Sequence, residues 1–553
     1  MSQLYKKYFK EKLDDKWKLQ SVDVHFQDHF NFAYDVLDVI AKESPDKRAL
    51  VYKSCQGEIK EFTFGQISRL SNKMANVLKN AGIGRGSAVM LIMKRRYEFW
   101  IAMMALHKLG AVAIPTSHMV SGNDIKERII KANIKAIICV NDNEICKCVE
   151  QAQAGIHTNI MKYIVGDSRQ GYTYIAELME KASDCLERVE TSVHDDMLYY
   201  FTSGTTGEPK AVIHDYSYPI AHIMTAKNWH GVIDGGLHLT VADSGWAKSA
   251  WGKLYGQWFC QCGIMVYDYN QFYANEILQI LEEQQITSFC APPTIYKYLV
   301  RENIKNYDLS SLTKAVTAGE PMPTEVAKKF YSATGLQIRE GFGQTETTLL
   351  TATMVDEEQR EGSIGRPSPL YNMIIADGDN KEVPPGEIGE IVLIPEKPGE
   401  IPIGVFKGYL DDDGLYQEVW EGGVYHTKDR AYRDEDGYYY FVGRSDDVIK
   451  SSGYRIGPSE VEDILMKHPA VFECAVTGYP SATRGAIVKA TIILNKGFEP
   501  DHCLKTELQD FVKERTAIYK YPRRIEFVED LPRTVTGKIS RKKIREADEK
   551  KLK

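Results

Sequence analysis

Hydrophobic and polar positions alternate along most of the chain in blocks that predict strands followed by amphipathic helices. The first clear unit has a strand in GSAVMLIMKRR, a helix in YEFWIAMMALHKLG and a strand in AVAIPTS, which together predict a βαβ unit. Further helix–strand pairs follow in NDIKERIIKANI–KAIICV, NEILQILEEQQI–TSFCAPPT and TEVAKKFYSATG–LQIREGFG. Strands that alternate with helices in this way indicate parallel sheets in an α/β protein.

The pattern changes twice toward the C-terminus. Between about 370 and 445, turn residues recur every few positions and apolar residues alternate with polar ones, which predicts antiparallel strands and hairpins. Beyond residue 446 a short α+β pattern follows, with a helix in SEVEDILMKHP and a strand in IVKATIILN. We therefore predict a domain boundary near residue 445. We find neither internal repeats nor low-complexity segments.

Composition adds the size and the charge of the molecule. A chain of 553 residues is too long for one ordinary core, so two or more domains are expected. The net charge is −7, but from Lys505 to Lys553 fifteen Lys and Arg stand against nine Asp and Glu, a net charge of +6. This basic stretch is either a solvated helix-rich tail or a surface that meets a polyanionic ligand. The overall acidity argues against general nucleic-acid binding.

Cysteine spacing and targeting signals bear on the compartment. The ten cysteines are scattered, and the C-x-C pairs Cys146/Cys148 and Cys260/Cys262 have no second Cys/His pair beside them, which argues against a zinc site. The N-terminus, MSQLYKKYFKEKLDDKW, is charged and has no apolar core of a signal peptide, and its acids disfavour a transit peptide. No apolar run is long enough for a membrane span. These features predict a cytoplasmic protein.

A loop rich in glycine and hydroxyl groups follows an apolar strand in YYFTSGTTGEPKAV, residues 199–212. Glycine allows a close approach of backbone N–H groups to a ligand, Ser and Thr supply short donors, and Lys210 supplies a positive charge. Such a loop suits a phosphate chain. It is not a P-loop, because Glu208-Pro209-Lys210-Ala211 replaces the required Gly-Lys-Ser/Thr. The remaining alternative for this segment alone is a flexible surface loop.

Four later motifs accompany this loop: EGFGQTE (340–346), YHTKDRAYRDEDGYYYFVGR (425–444), GRSDDVIKSSGYRIGPSEVE (443–462) and LPRTVTGKISR (531–541). Together with YYFTSGTTGEPK they resemble, in the same order, the signatures of the adenylate-forming superfamily, which includes acyl-CoA synthetases, adenylation domains of peptide synthetases and luciferases. The resemblance spans nearly the whole chain. FNFAYDVLD, DSGWAKSAW, SSGYRIGPSEVE and YKYPRRIEFV are most similar to medium-chain acyl-CoA synthetases.

The resemblance implies a fold and a reaction. The fold is α/β: an N-terminal AMP- and acyl-binding domain, residues 1–445, has two subdomains with parallel-rich sheets and a β-barrel-like antiparallel subdomain. A small mobile α+β domain, residues 446–553, follows a hinge near Asp446. The reaction is ATP-dependent activation of a medium-chain, branched or aromatic carboxylic acid to an acyl-adenylate, followed by transfer to the thiol of coenzyme A. ATP, Mg²⁺ and coenzyme A are the implied cofactors, and the expected partners are small molecules.

The resemblance also implies a nucleotide site. The β- and γ-phosphates would be wrapped by residues of the glycine-rich loop: Thr202, Ser203, Gly204, Thr205, Thr206, Gly207, Glu208, Pro209 and Lys210. The rest of the nucleotide would be lined by Gly319, Glu320, Glu340, Gly341, Phe342, Gly343 and Gln344, with Phe342 against the adenine. Asp429 would bind the ribose hydroxyls, since a carboxylate offers two acceptor oxygens, and Arg444 would also reach the ribose.

The reacting groups follow from the same motifs. Lys538 in TVTGKI would bridge the carboxylate oxygen and the α-phosphate where negative charge builds up, because an ammonium is a compact point charge. Thr345 would lie near the α-phosphate or the acyl carboxylate. Glu346 resembles the family's Mg²⁺ ligand, with Thr205 as a second oxygen, since a hard cation prefers oxygen ligands. An ordinary surface charge is the alternative for Lys538, Glu346 and Arg444.

Coenzyme A and the acid would meet further residues. Ser452, Gly453 and Tyr454 would border the pantetheine tunnel, and Arg455 would contact a phosphate. A basic surface at Arg484 and Lys513 would face the coenzyme A nucleotide, with ordinary surface charges as the alternative for these two residues. Trp246, Gly319 and Thr345 would form the acid pocket, whereas Trp251 and Trp258, seven positions apart on a predicted helix face, are expected in the core. The run Ser117-His118-Met119 replaces a glutamine found in relatives.

Three other functions remain as alternatives. A stand-alone enzyme that loads an acyl group onto a carrier protein would carry the same motifs, although no carrier segment follows Lys538 in this sequence. A non-enzymatic nucleotide sensor would be expected to have lost Lys538, Glu346 or Asp429, and all three are present. Nothing in the sequence favours an oxidative, luciferase-like reaction. The preferred acid and the oligomeric state are left open.

Overall fold

The structure is a computed structural model that describes residues 3–16, 18–203, 209–411, 414–416, 420, 423–445, 447–451, 454–481, 484–534 and 538–552. For residues 203, 209, 411, 414–416, 455 and 552 only the backbone is described. The strands are β1 Phe9–Leu13, β2 Leu19–Val24, β3 Arg48–Lys53, β4 Ile59–Thr63, β5 Ala88–Ile92, β6 Val112–Pro115, β7 Ala136–Val140, β8 Met161–Val165, β9 Thr173–Tyr174, β10 Asp196–Ser203, β11 Pro209–Asp215, β12 Leu237–Thr240, β13 Gly263–Tyr267, β14 Ser288–Cys290, β15 Lys314–Ala318, β16 Ile338–Phe342, β17 Thr351–Ala352, β18 Arg366–Pro367, β19 Met373–Ala376, β20 Gly389–Leu393, β21 Gly408–Asp411, β22 Gly414–Tyr416, β23 Tyr425–Arg433, β24 Tyr439–Arg444, β25 Ile449–Ser451, β26 Tyr454–Ile456, β27 Val471–Ser481, β28 Gly485–Leu494 and β29 Arg524–Phe527.

Helices alternate with these strands over most of the chain. The α-helices are α1 Val39–Glu43, α2 Phe64–Asn80, α3 Glu98–Lys108, α4 Gly122–Lys131, α5 Asn143–Ala154, α6 Ile175–Lys181, α7 Tyr218–Ile223, α8 Ala247–Gly252, α9 Tyr255–Phe259, α10 Ala274–Glu283, α11 Pro293–Leu299, α12 Thr324–Thr334, α13 Pro458–Met466, α14 His502–Lys513 and α15 Arg541–Leu552. A π-helical turn, Met224–His230, extends α7.

Two nine-stranded sheets form the large N-terminal part. The first has the order β22-β21-β11-β10-β6-β5-β7-β8-β9, and the second has the order β18-β17-β16-β15-β14-β12-β13-β3-β4. The central strands of both sheets are parallel. Antiparallel strands lie at both edges of the second sheet and at one edge of the first, whose other edge strand, β9, is parallel to β8. The predicted βαβ unit is confirmed as β5–α3–β6, since β5 and β6 pair in parallel.

One hydrophobic core joins the two sheets. It contains Val89 from the first sheet, Ile264 from the second, and most of α3. Every residue of α3 from Phe99 to Lys108 is buried, and the ammonium of Lys108 is compensated inside the protein by Asp38 Oδ1 at 2.7 Å. Separation of the two sheets would expose α3 to water. The burial of α3 therefore fixes the position of one sheet relative to the other.

The C-terminal third confirms the predicted change of pattern. Strands β19, β20, β23 and β24 form a four-stranded antiparallel sheet. Beyond it, β25–β29 form a five-stranded sheet that packs with α13 and α14 around a separate small core. The division at residue 445 remains a prediction, and the proposed hinge residue, Asp446, lies outside the described residues.

Few described contacts join the last part to the rest of the chain. Lys297 Nζ on α11 lies 3.7 Å from Glu473 Oε1 on β27. The guanidinium of Arg301 lies over the ring of Phe472, 4.1 Å from its centroid. None of the described helices combines the length and the apolar character that crossing a bilayer requires.

We expect Gly365→Ala to destabilise the protein much more than Gly362→Ala. Both glycines have positive φ, +86° and +74°, which costs an L-residue about 1 kcal/mol or more. A Cβ on Gly365 would also lie 1.9 Å from the carbonyl carbon of Ala352 in β17, whereas nothing lies within 4 Å of one on Gly362. Overpacking against backbone adds about 1–3 kcal/mol. The thermal unfolding midpoints of both variants at one scan rate measure this difference, and equal midpoints would contradict the packing described.

Candidate active site

The ends of four neighbouring parallel strands bring the predicted site residues to one edge of the second sheet. Strands β12, β14, β15 and β16 pair in parallel and in that order. The segments that follow them therefore emerge side by side, and ligands of such sheets bind at this edge. Gly319 and Glu320 follow β15, and the turn 343–346 follows β16.

Lys538 reaches this edge from the far end of the chain. A Cβ built on Gly319 would lie 3.7 Å from Lys538 Cε and 3.9 Å from Lys538 Nζ, so the lysine side chain passes directly over the glycine. Gly319 has φ +105°, a conformation that L side chains rarely adopt. The ammonium lies close enough to Asp429 for its charge to lower the pKa of that carboxyl. Residues more than two hundred positions apart thus meet here.

Gln344 connects the turn after β16 to β23. Its amide nitrogen donates to the backbone oxygen of Thr427 at 2.7 Å and to Asp429 Oδ2 at 2.5 Å. Its amide oxygen accepts from the hydroxyl of Tyr425 at 2.6 Å. Because the side-chain oxygen and nitrogen of Gln344 are both used, the turn is held at one distance from the antiparallel sheet.

Asp429 is a buried carboxylate beside a partly exposed arginine. It pairs across β23 and β24 with Arg444, whose Nη1 lies 3.9 Å from Asp429 Oδ1. Burial raises the pKa of Asp429 to about 6, although the charge of Arg444 and the amide of Gln344 act in the opposite direction. Two acceptor oxygens and a guanidinium are therefore available together at this strand pair.

Glu346 and the end of the glycine-rich loop meet at Tyr409. The hydroxyl of Tyr409 donates to Glu346 Oε1 at 2.8 Å, and the ammonium of Lys210 lies 5.1 Å from the centroid of the same ring. Thr202 faces Lys210 across the β10–β11 hairpin. Lys210 and Glu346 therefore contact the same tyrosine.

Two glycines in the EGFG segment leave space for the rings of neighbouring tryptophans. A Cβ on Gly341 would lie 2.7 Å from the ring of Trp229, and one on Gly343 would lie 2.3 Å from the ring of Trp251. Phe342 packs against Phe441 with ring centroids 6.0 Å apart. The two glycines are required by close packing beneath the turn.

The tryptophan segment lies beside the same turn. Trp246 precedes α8 and is partly buried, with an indole N–H that finds no acceptor among the described residues. The helix expected to carry both Trp251 and Trp258 is divided into α8 and α9. Both rings are nevertheless buried in the core, as predicted. Ser117 lies under this segment, since a Cβ on Gly245 would lie 2.1 Å from its amide nitrogen.

Residues assigned to coenzyme A lie away from this cluster. Tyr454 stacks on Tyr519 with centroids 4.1 Å apart, and Lys513 pairs with Asp510 at 2.7 Å. Arg484 is exposed. Within the described part of the chain, no contact joins these three residues to Gly319 or Thr345.

Several predicted residues lie wholly or partly outside the described part of the chain. Outside the described residues lie Gly204, Thr205, Thr206, Gly207, Glu208, Asp446, Ser452 and Gly453. Only the backbones of Ser203, Pro209 and Arg455 are described, and all three lie in strands.

Three side chains at the site were not predicted from the sequence. His214 donates from Nε2 to the backbone oxygen of Thr345 at 2.8 Å, and burial lowers its pKa to about 4, so the ring is neutral. Tyr409 holds Glu346, and Lys248 donates to the backbone oxygen of Ala318 at 2.9 Å. His214 follows the glycine-rich loop within strand β11, but strand periodicity does not reveal which turn such a side chain will reach.

No group of three or more metal-binding side chains occurs in the described residues. Glu346 is one carboxylate whose oxygen already accepts from Tyr409. A single carboxylate is sufficient for Mg²⁺ when phosphate oxygens supply further ligands. The donor chemistry at Glu346 therefore fits a magnesium ion that arrives with a phosphate chain.

Glu340 is the most strongly perturbed acid near the site. It lies in β16, is 6% exposed, and accepts from the backbone N–H of Met322 at 3.1 Å. Burial raises its pKa to about 8, and Asp463 adds to this effect. The side chain is therefore neutral at pH 7.

We expect Glu340→Gln to remove part of the pH dependence of stability. The folded pKa of about 8 exceeds the unfolded value of 4.5, so the folded state binds one more proton between these pH values and loses stability as the pH rises. Each pH unit in this window costs about 1.4 kcal/mol. The unfolding midpoint of the variant relative to wild type should therefore increase from pH 6 to pH 8. Glu361→Gln, at an exposed carboxylate, is the matched control, and parallel curves for wild type and Glu340→Gln would contradict the assignment.

Comparison with known sequences and structures identifies the family. The model of the AMP-binding enzyme family matches residues 37–410, and the model of the AMP-binding enzyme C-terminal domain matches residues 460–538. Acyl-coenzyme A synthetase ACSM3, mitochondrial, of Mus musculus is 39% identical over 542 residues, which cover 96% of this chain and 92% of that protein. The human ACSM4 protein is 38% identical over 531 residues, 94% of this chain and 91% of that protein.

Solved structures agree with this assignment. The anthranilate CoA ligase AuaEII in complex with anthranoyl-AMP superposes with a TM-score of 0.87 at 28% identity, over 95% of this chain and 99% of that one. A benzoate CoA ligase from Burkholderia xenovorans LB400 superposes with a TM-score of 0.81 at 25% identity, over 93% of this chain and 100% of that one. The chain therefore belongs to the AMP-binding enzyme family and carries that family's C-terminal domain.

Proposed function

We propose that this protein is an AMP-forming acyl-CoA synthetase that activates a medium-chain, branched or aromatic carboxylic acid. ATP and the acid would react to an acyl-adenylate and pyrophosphate, and the thiol of coenzyme A would then displace AMP to give the thioester. The observation that carries this proposal is the position of Lys538 over Gly319, beside Asp429 and the turn that contains Thr345. The named acyl-CoA synthetase relatives support it over nearly their whole length.

The first half-reaction needs stabilisation of charge rather than a strong base. The carboxylate attacks the α-phosphate, and negative charge grows on the oxygens between them. Lys538 would supply the compensating ammonium there. Thr345 would be held toward the same point, because His214 and Gln344 anchor the backbone and the base of its turn. The catalysis is thus mainly positioning and electrostatics.

The nucleotide would lie between the turn after β16 and the antiparallel sheet. Asp429 and Arg444 would bind the ribose hydroxyls, and Phe342 would pack against the adenine. The glycine-rich segment 202–210 would approach the phosphates with little side-chain bulk, and Gly319 and Glu320 would flank the adenine. This assignment draws its support from the adjacency of Asp429, Gln344 and Arg444.

Glu346 would bind Mg²⁺, with the hydroxyl of Tyr409 orienting its carboxylate. The metal ion neutralises phosphate charge when it is bound. Tyr409 also lies against Lys210, so it would keep the carboxylate and the loop lysine on one side of the phosphate chain.

The second half-reaction would need a different arrangement of the C-terminal domain. Tyr454, Arg484 and Lys513 lie away from Gly319, so a rotation near Asp446 would be required before coenzyme A could meet the acyl group. Such a rotation would break only a few described contacts, chiefly those of Lys297 and Arg301 with β27 and its neighbour Asn495. Ser452, Gly453 and Arg455 would then border the pantetheine and a phosphate.

We infer a cytoplasmic location for the protein. All ten cysteines lie among the described residues and none forms a disulfide, which fits a reducing compartment. Both acyl-CoA synthetase relatives named above are mitochondrial. Fractionation of the source cells with an antibody to this chain separates the two compartments.

A panel of acids tests the proposed reaction. We expect ATP-dependent pyrophosphate release and AMP formation with at least one of acetate, butanoate, hexanoate, octanoate, isobutyrate and benzoate, and thioester formation only when coenzyme A is added. Thioester transfer to a carrier protein in preference to coenzyme A would favour a carrier-loading enzyme. Absence of acid-dependent pyrophosphate release with every acid would refute the proposal.

We expect Lys538→Ala to separate the two half-reactions. Removal of one preorganised charge-stabilising group typically costs about 10²–10³-fold in rate. Adenylate formation, followed by pyrophosphate release, should fall by that factor, whereas thioester formation from supplied acyl-adenylate should largely persist. Lys543→Ala is the control, because Lys543 lies in the same basic segment but donates to the backbone oxygen of Arg533 at 3.1 Å. Equal losses in both half-reactions would show that Lys538 acts differently.

A further inference from the structure

A second ammonium lies beside the one supplied by Lys538. Lys248, on α8, donates to the backbone oxygen of Ala318 at 2.9 Å, and Ala318 immediately precedes Gly319. Lys538 passes over Gly319. The side chains of Lys248 and Lys538 therefore reach the same turn from two different parts of the chain.

The charge of Lys248 lacks a paired anion. In the described part of the chain no carboxylate lies within 4.0 Å of its Nζ, and its single described acceptor is a neutral carbonyl. Burial lowers the pKa of Lys248, and the nearby charge of Lys538 lowers it further, whereas Glu320 acts in the opposite direction. An ammonium has three N–H donors, so two remain after the bond to Ala318.

A flanking residue provides a further donor. Trp246 lies two residues before Lys248, and its buried indole nitrogen has no acceptor in the described chain. An indole nitrogen can only donate. The Trp251 ring lies against Gly343, so this segment borders the turn that contains Thr345. Its polar groups are thus donors in excess.

A purely hydrocarbon acyl group would leave these donors unsatisfied. Buried donors without partners are costly, and a hydrogen bond to a charged group contributes more than one between neutral groups. An acid with a second oxygen-bearing group would supply the missing acceptor. A site built to bind such a group rejects the analogue that lacks it.

Resting on the function proposed above, we propose that Lys248 is a specificity-determining residue that selects acids carrying a second oxygen acceptor, namely a hydroxyl, a keto oxygen or a second carboxylate. The acyl group would then contact Lys248 through this oxygen, while the reacting carboxylate meets Lys538. The shared chemistry is an oxygen acceptor, and the acids compared below distinguish its sources.

Matched pairs of acids test the proposal. The pairs are butanoate with 4-hydroxybutanoate, pentanoate with 4-oxopentanoate, hexanoate with hexanedioate, and benzoate with 2-hydroxybenzoate. The ratio of kcat/KM within each pair is measured by pyrophosphate release. We expect wild type to favour the oxygen-bearing member of at least one pair by about 10- to 100-fold.

Two variants of Lys248 separate charge from volume. Lys248→Met keeps a long unbranched side chain but removes the donors, so the preference should disappear while turnover of the hydrocarbon acid persists. Lys248→Arg keeps a charged donor and should retain part of the preference. Lys253→Met is the matched control, because Lys253 lies five residues further on and also donates to a backbone carbonyl, that of Ala242 at 2.8 Å. It should leave the ratio unchanged.

Three outcomes would overturn the proposal. Wild type could favour the hydrocarbon member of every pair. Lys248→Met could lower both members of a pair equally, which would assign the ammonium to the reacting carboxylate. Lys253→Met could lower the preference for the oxygen-bearing acid as much as Lys248→Met does, which would show that the effect is not specific to Lys248. If wild type activates no acid at all, the proposed function fails and this inference fails with it, whereas the three outcomes above leave the proposed function intact.

Discussion

The close approach of Lys538 to Gly319 is the contact on which the site depends. It joins the C-terminal part of the chain to the turn after β15, where the φ of Gly319, +105°, favours glycine. The contacts that hold this arrangement include Lys297 with Glu473, Arg301 with Phe472, and the close approach of Gly457 to Val442 in β24.

The rest of the site is rigid by comparison. Gln344 is bonded to Tyr425, Thr427 and Asp429, and the backbone of Thr345 is bonded to His214. These contacts connect the turn after β16 with β23 of the four-stranded sheet and with β11 of the first sheet. Groups that hydrogen bonds already hold in place cost no reorganisation during a reaction.

Burial sets which titratable groups carry charge. The carboxyl of Glu340 has a pKa of about 8 and the imidazole of His214 a pKa of about 4, so both are neutral at pH 7 and act through hydrogen bonds. Asp429, with a pKa of about 6, is mostly ionised because Arg444 and Gln344 oppose its burial. The charged groups at the edge are therefore chiefly Asp429, Glu346 and the lysines. Lys248 and Lys253 both donate to a neutral backbone carbonyl, but only Lys248 does so at the turn that Lys538 reaches.

The sequence by itself determined the alternation of strands and helices and the change to antiparallel strands after residue 370. These features follow from local periodicity, so they can be predicted without knowledge of the fold. The resemblance of the motifs to the adenylate-forming superfamily also implied that Gly319, Thr345, Asp429 and Lys538 belong to one site.

Only the tertiary structure decided which side chains support that site. Lys248 and Lys253 occur five residues apart in one short segment, yet one reaches Ala318 and the other reaches Ala242. Tyr409 and His214 lie in neighbouring strands without any distinguishing pattern, and they meet Glu346 and Thr345 from across the sheet edge. The division of the tryptophan segment into α8 and α9 was likewise not visible in its spacing. The physical reason is that these contacts depend on strand order and on the relative position of the sheets, which bring together residues that are far apart in the chain.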